Sequence, residues 1–142
     1  PVSTGSKGFN NAKGSNGSPS GMHKIARKGG EDLPLGADIR SGKIRNIDTA
    51  SARPSSGATM TTRALYIGGL EKQGTETRGV AIHGTNHEGT VLYPPEVDGV
   101  KKGSSHGCIR MLNSDVADLF ERIKEGTLVE VYDRKIEAAK VA

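Results

Sequence analysis

A core in this chain has to be built almost without aromatic side chains. There is no Trp among the 142 residues, and Phe9, Phe120, Tyr66, Tyr93 and Tyr132 are the whole aromatic complement. Val, Ile, Leu and Ala must fill the interior, and the β-branched ones favour strands. With 33% hydrophobic residues and 20 glycines, much of the chain is expected to be loop around a few strands and a helix. The length suits one domain able to bury such a core. One domain is expected over 1–142, with 133–142 a polar, Ala-rich tail that can form a short helix.

Pro1 to Thr4 reads as the end of a strand. Gly5 to Gly21 is turn chemistry, closing on Ser18-Pro19-Ser20-Gly21. Met22 to Lys28 reads as a short strand, and Glu31 to Thr62 has no regular period. Ala64–Leu70 and Gly79–His83 are apolar, β-branched runs bounded by Gly, so two strands are expected, with His83 at the end of the second. Val116, Leu119, Phe120 and Ile123 fall at i, i+3, i+4 and i+7, the spacing of one helix face. Asn113 or Ser114 can cap that helix, Asp115 suits its positive end, and Gly126 can close it. Thr127 to Tyr132 is a final strand. The fold expected is mainly β with one packed helix.

The formal charge of +4 and a pI of about 9.3 favour anionic surroundings. The bases are scattered, however, and no aromatics interleave with them, so nucleic acid is not expected as a partner. No apolar run approaches a membrane span and no signal peptide opens the chain. Pro1 stands first rather than Met, so the chain reads as a processed form or a portion of something longer. The single cysteine rules out an intramolecular disulfide.

That cysteine lies in Ser105-His106-Gly107-Cys108-Ile109-Arg110, just ahead of the expected helix. A helix mouth would favour the thiolate, because unpaired N–H groups and the dipole are positive there. Gly107 lets a substrate approach the backbone, and the N–H groups around it can face a developing oxyanion. Arg110 offers a cationic fork. A thiol needs a base, and His106 and His83 are the two candidates. The competing chemistry is zinc, with His83, His87, His106 and Cys108 as ligands, but an i, i+4 pair converges only on a helix and Gly84 follows a strand. Gly5 to Gly21 lacks the ending of a P-loop and is read as loop, and His23 as a structural histidine.

These residues resemble the L,D-transpeptidases, the YkuD-like catalytic domain that cross-links bacterial peptidoglycan. The Ser105–Arg110 segment looks like the family signature, and Ile82-His83-Gly84-Thr85 matches its second motif. Ser18-Pro19-Ser20-Gly21 with His23 and Ile25 is similar to a Thr-Pro-x-Gly segment, with Ser for Thr. Val2–Gly5 and Thr62–Leu65 resemble strands of the same domain. The resemblance implies a β-sandwich-like fold with Cys108 as nucleophile and His83 as base, the latter oriented by the backbone carbonyl of Gly84. His106 and Gly107 would shape the site, the 106–108 turn would supply the oxyanion hole, and Arg110, Ser105 and Thr85 would contact substrate. It further implies no cofactor or metal, peptidoglycan stem peptides as partners, and a location in the periplasm or cell wall. The expected reaction passes through a thioester to a 3–3 cross-link. L,D-carboxypeptidase and lipoprotein-anchoring activities are variants of that chemistry, and a non-catalytic wall-binding module is the alternative outside it. The interval from His83 to Ser105 is longer than the family pattern, implying an enlarged loop (Glu88 to Gly103). The family domain also begins with a β-hairpin ahead of the Val2–Gly5 strand, so those strands are expected upstream, or the sheet is completed otherwise.

Overall fold

The computed structural model describes residues 1–45 and 57–133. The helix considered for the tail lies outside the described residues, as does part of the irregular stretch 31–62. Among the described residues eight strands form: β1 (Val2–Ser3), β2 (Gly21–Gly29), β3 (Met60–Gly69), β4 (Ala81–Thr85), β5 (Glu96–Val97), β6 (Val100–Lys101), β7 (Ile109–Met111) and β8 (Leu128–Val131). Two α-helices join them, α1 (Gly89–Leu92) and α2 (Asn113–Arg122). The expectation of a mainly β domain with one packed helix holds, and the sandwich takes the form of one curled sheet with α2 laid on it.

The main sheet runs β1-β7-β4-β3-β2-β8. All its pairs are antiparallel except β4 with β7, which is parallel. β4 is central and every one of its five residues is buried, as expected of a strand covered on both faces. Ile25, Leu65, Ile67, Val80, Ile82, Ile109, Phe120 and Val131 make the core cluster, so aliphatic side chains supply the interior and Phe120 is its one fully engaged ring. α2 packs on β3 and β4 through buried Val116 and Phe120.

Three sequence expectations need correction. α2 is not capped by Asn113 or Ser114: Leu112 is the N-cap and makes no side-chain cap bond. The Asn113 N–H instead donates to Glu88 Oε1 at 2.7 Å, a carboxylate from another loop serving the unpaired donors and the positive helix end. Gly126 does not end the helix, which stops at Arg122. Lys28 Nζ covers that end, donating to the carbonyls of Phe120 (2.6 Å) and Ile123 (2.8 Å). Finally, His83 lies in the middle of β4 rather than at its end.

The long loop from Glu88 to Gly103 is structured. It carries α1 and a β5–β6 hairpin. His23 is wholly buried, its ring nitrogens 2.9 Å from Gly21 O and 2.9 Å from Thr75 Oγ1, which makes it a structural histidine. No helix among the described residues is long and apolar enough to cross a membrane.

Candidate active site

The parallel pairing of β4 and β7 brings the two motifs together. Ile82 pairs with Ile109, and His83 with Arg110. Both isoleucines belong to the core cluster on the α2 side. Alternation along a strand therefore turns His83 and Arg110 to the opposite face, and Cys108, one residue before Ile109, faces the same way. Carried one residue back, the register sets Cys108 beside Ala81, whose N–H reaches the sulfur, two residues before His83 on the adjoining strand. Arg110 is adjacent to both.

His83 is held in one tautomer. Its Nδ1 lies 2.6 Å from Gly84 O, and a carbonyl can only accept, so Nδ1 carries the hydrogen and Nε2 is left with its lone pair. Burial pushes the imidazole pKa down to about 4; the Gly84 carbonyl raises it and the Arg110 charge lowers it. At neutral pH the ring is an uncharged acceptor. Gly84 has no room for a side chain, because a Cβ there would sit 2.4 Å from Asn113 Oδ1 and 2.7 Å from Thr61 O. Asn113 in turn accepts from Thr61 Oγ1 (2.6 Å) and Thr62 Oγ1 (2.5 Å) and donates to Thr85 O (2.8 Å). This buried network braces the strand that carries His83.

Cys108 precedes a strand, not a helix, so the helix-mouth expectation fails: β7 intervenes and α2 begins at Asn113. Burial raises the Cys108 pKa above the ordinary thiol value. The backbone N–H of Ala81 and the charges of Arg110 and Arg78 favour the thiolate but do not outweigh it. The resting pair is therefore a neutral thiol and a neutral imidazole. Alkylation of Cys108 by iodoacetamide is accordingly expected to rise only above the pH at which free thiols ionise; a plateau reached by pH 6 would contradict a protonated resting thiol.

The turn before Cys108 is tightly bound. Gly107 has φ +124°, and a Cβ there would lie 2.9 Å from Gly17 O, so only Gly fits. Its carbonyl accepts from Ser18 Oγ at 2.9 Å, and Ser18 Oγ also accepts from Gly5 N–H at 2.8 Å. The Gly107 N–H donates to Ser105 Oγ at 3.1 Å. That donor is therefore already engaged.

Ser105 and Thr85, expected by resemblance to contact substrate, are both buried in this fold. Ser105 is buried, and its hydroxyl also donates to Cys108 O, so it braces the turn. Thr85 is wholly buried, its Oγ1 accepting from the His87 N–H at 3.1 Å. His106 is exposed and lines an open cleft of about 320 Å³ together with Cys108, Arg78, Lys13, Asn16, Thr77 and neighbouring backbone. Arg110 Nη1 donates to Ser104 Oγ at 3.1 Å, while its buried Nε has no partner among the described residues. No group of three or more His, Cys, Asp or Glu among the described residues converges as a metal site, so the four residues weighed for zinc are not brought together as ligands. Sequence reasoning missed Ser18's link to Gly107 and missed Arg78 altogether; Arg78 sits in Thr77-Arg78-Gly79 with no local pattern around it.

Fold and site together define a β domain that presents a Cys–His pair beside an arginine on one face of a mixed sheet. The YkuD family, the L,D-transpeptidase catalytic domain, matches residues 1–131, and the chain belongs to it. YqjB of Bacillus subtilis, named as an L,D-transpeptidase, is 42% identical over 65 residues, covering 46% of this chain and 32% of YqjB. YbiS of Escherichia coli K12, likewise named, is 37% identical over 75 residues, covering 53% of this chain and 19% of YbiS. The chain thus spans a third or less of the curated relatives it matches. A solved structure of the Ldtfm–avibactam carbamoyl enzyme aligns over 93% of this chain and 39% of that one, at 17% identity and a TM-score of 0.42.

Proposed function

We propose that this domain transfers acyl groups between peptidoglycan stem peptides through a thioester on Cys108, forming 3–3 cross-links. The observation that carries the reading is the parallel register that sets the segment after Cys108 beside His83, with His83 Nδ1 bonded to Gly84 O. His83 Nε2 takes the thiol proton as sulfur attacks the carbonyl at the L-centre of the third stem residue, a diamino acid. The N–H groups of His106 and Cys108 receive the oxyanion, a role for donors fixed in advance. The imidazolium returns its proton to the departing amine of the fourth residue, D-Ala, and the thioester remains. A side-chain amine of a second stem then attacks and loses its proton to His83, the new amide forms, and the thiol is restored. Neither ATP nor a metal is required, because the energy of the broken amide is kept in the thioester.

Water as the acceptor gives an L,D-carboxypeptidase, and a protein lysine gives lipoprotein anchoring. The substrate places the working enzyme outside the cytoplasmic membrane, in the periplasm or wall. A non-catalytic wall-binding module would need neither Cys108 nor His83.

Intact-protein mass spectrometry with a tetrapeptide donor, or with a carbapenem, tests the reading. The expected result is an adduct that maps to Cys108 and is absent from Cys108→Ala, with dimers formed from tetrapeptide muropeptides by the wild type alone. An unmodified wild-type protein, under conditions where another family member reacts, would overturn it.

A further inference from the structure

Arg78 is a cation lining the Cys108 cleft, and nothing in the reaction as described uses it. It is half-buried on the loop before β4. Its Nη1 donates to Asn10 O at 2.9 Å and its Nη2 to Gly17 O at 2.5 Å. Those carbonyls fix the plane of the guanidinium but bring no formal charge, and three of its five N–H donors stay available. Nη2 lies only 3.1 Å from where a Gly107 Cβ would be, so the charge sits against the nucleophile's own turn. The same cleft is lined by Lys13 and His106 and, among the described residues, by no carboxylate. A concave site with two fixed or nearby cations and no acid is built for an anion.

The position of the charge says which anion. Attack by Cys108 places the scissile carbon at the sulfur. In a peptide whose leaving group is its last residue, the terminal carboxylate lies one residue beyond that carbon, on the order of 4 Å away. We infer that Arg78, assisted by Lys13, binds the free terminal carboxylate of the donor's leaving residue and so selects donors that end one residue after the scissile bond. This rests on the nucleophile reading above and deepens it: longer stems, or stems whose end is amidated, put a neutral group against a guanidinium held for a charged one. The nearness of Arg78 to the sulfur, where its charge also favours the thiolate, is the rival explanation for its placement, and the two differ in what they predict.

Two donors separate them: a tetrapeptide stem with a free terminal carboxylate, and its carboxamide. Acylation of Cys108 is followed by mass spectrometry over a range of donor concentrations. For Arg78→Gln, kcat/KM with the free acid is expected to fall roughly tenfold to hundredfold, mainly through KM, the range of a charge-assisted hydrogen-bonded pair. The ratio of acid to amide should collapse with it. Comparing variant with wild type cancels the different basicity of the two leaving amines. Arg78→Lys, which keeps the charge without the fork, should fall between. Lys13→Gln, outside the carbonyl clamp, should lower the ratio by a few-fold and guards against a folding defect in the Arg78 variants.

Equal loss with both donors, accompanied by a pH profile displaced to higher pH, would assign Arg78 to the thiolate and overturn the inference. An unaltered ratio in all three variants would overturn it as well. In both cases wild-type Cys108 still carries an adduct, so the nucleophile reading survives. A wild-type protein that takes up neither donor would sink both together.

Discussion

Replacing His83 with Gln should lower acylation of Cys108 at pH 7 by about three orders of magnitude, within the range of 10²–10⁴ that a positioned base supplies. The dependence is steep because this thiol is not self-activated. Its pKa is raised by burial, so at neutral pH the thiolate is a minor species and a base must take the proton as sulfur attacks. The wild type should show a nearly flat rate between pH 6 and 8, since His83 is already neutral well above its pKa of about 4. His83→Gln should instead gain about tenfold per pH unit, as hydroxide ionises the thiol in place of the base. A time course of adduct formation at several pH values reads both. A variant within a factor of three of the wild type at pH 7 would remove His83 from the reaction. Had a helix mouth lowered the Cys108 pKa, as the sequence led one to expect, the same substitution would cost far less.

That contrast shows where the sequence is legible. Cys108 and His83 stand in compact motifs whose residue types declare their chemistry, and Val116 and Phe120 repeat at helical spacing over enough residues to be seen. β7 is three residues long and overlaps the end of the motif, too short for alternation to register, so the cysteine appeared to sit directly ahead of the helix. Ser105 and Thr85 are substrate contacts only by what the family resemblance implies. Sequence does not distinguish a hydroxyl facing a cleft from one buried under a turn, and both hydroxyls are buried and bonded to backbone groups. Glu88 and Arg78 act through partners 25 and 61 positions away. No local pattern encodes contacts that depend on how loops close over a finished sheet.

The burial that keeps His83 neutral also makes the domain sensitive to acid. In the unfolded chain a histidine titrates near 6.5, and in the folded one at about 4. Between those values the unfolded state binds more protons, so stability rises with pH across the window, is complete above 6.5, and is lost as the pH falls toward 4. The full loss is roughly 3 kcal/mol, a large share of a small domain's stability. Urea unfolding of the wild type and His83→Gln at pH 7 and pH 4.5 isolates it. Carboxylates protonate in both proteins, and whatever the substitution itself costs is present at both pH values, so only the difference in slope matters. The wild type should lose about 2–3 kcal/mol more than the variant on acidification. Cys108→Ala should keep the wild-type slope, because a thiol does not titrate in that range. Parallel losses in the wild type and His83→Gln would mean that the imidazole is not held neutral by burial, and the argument for it as a ready proton acceptor at neutral pH would fall with that result.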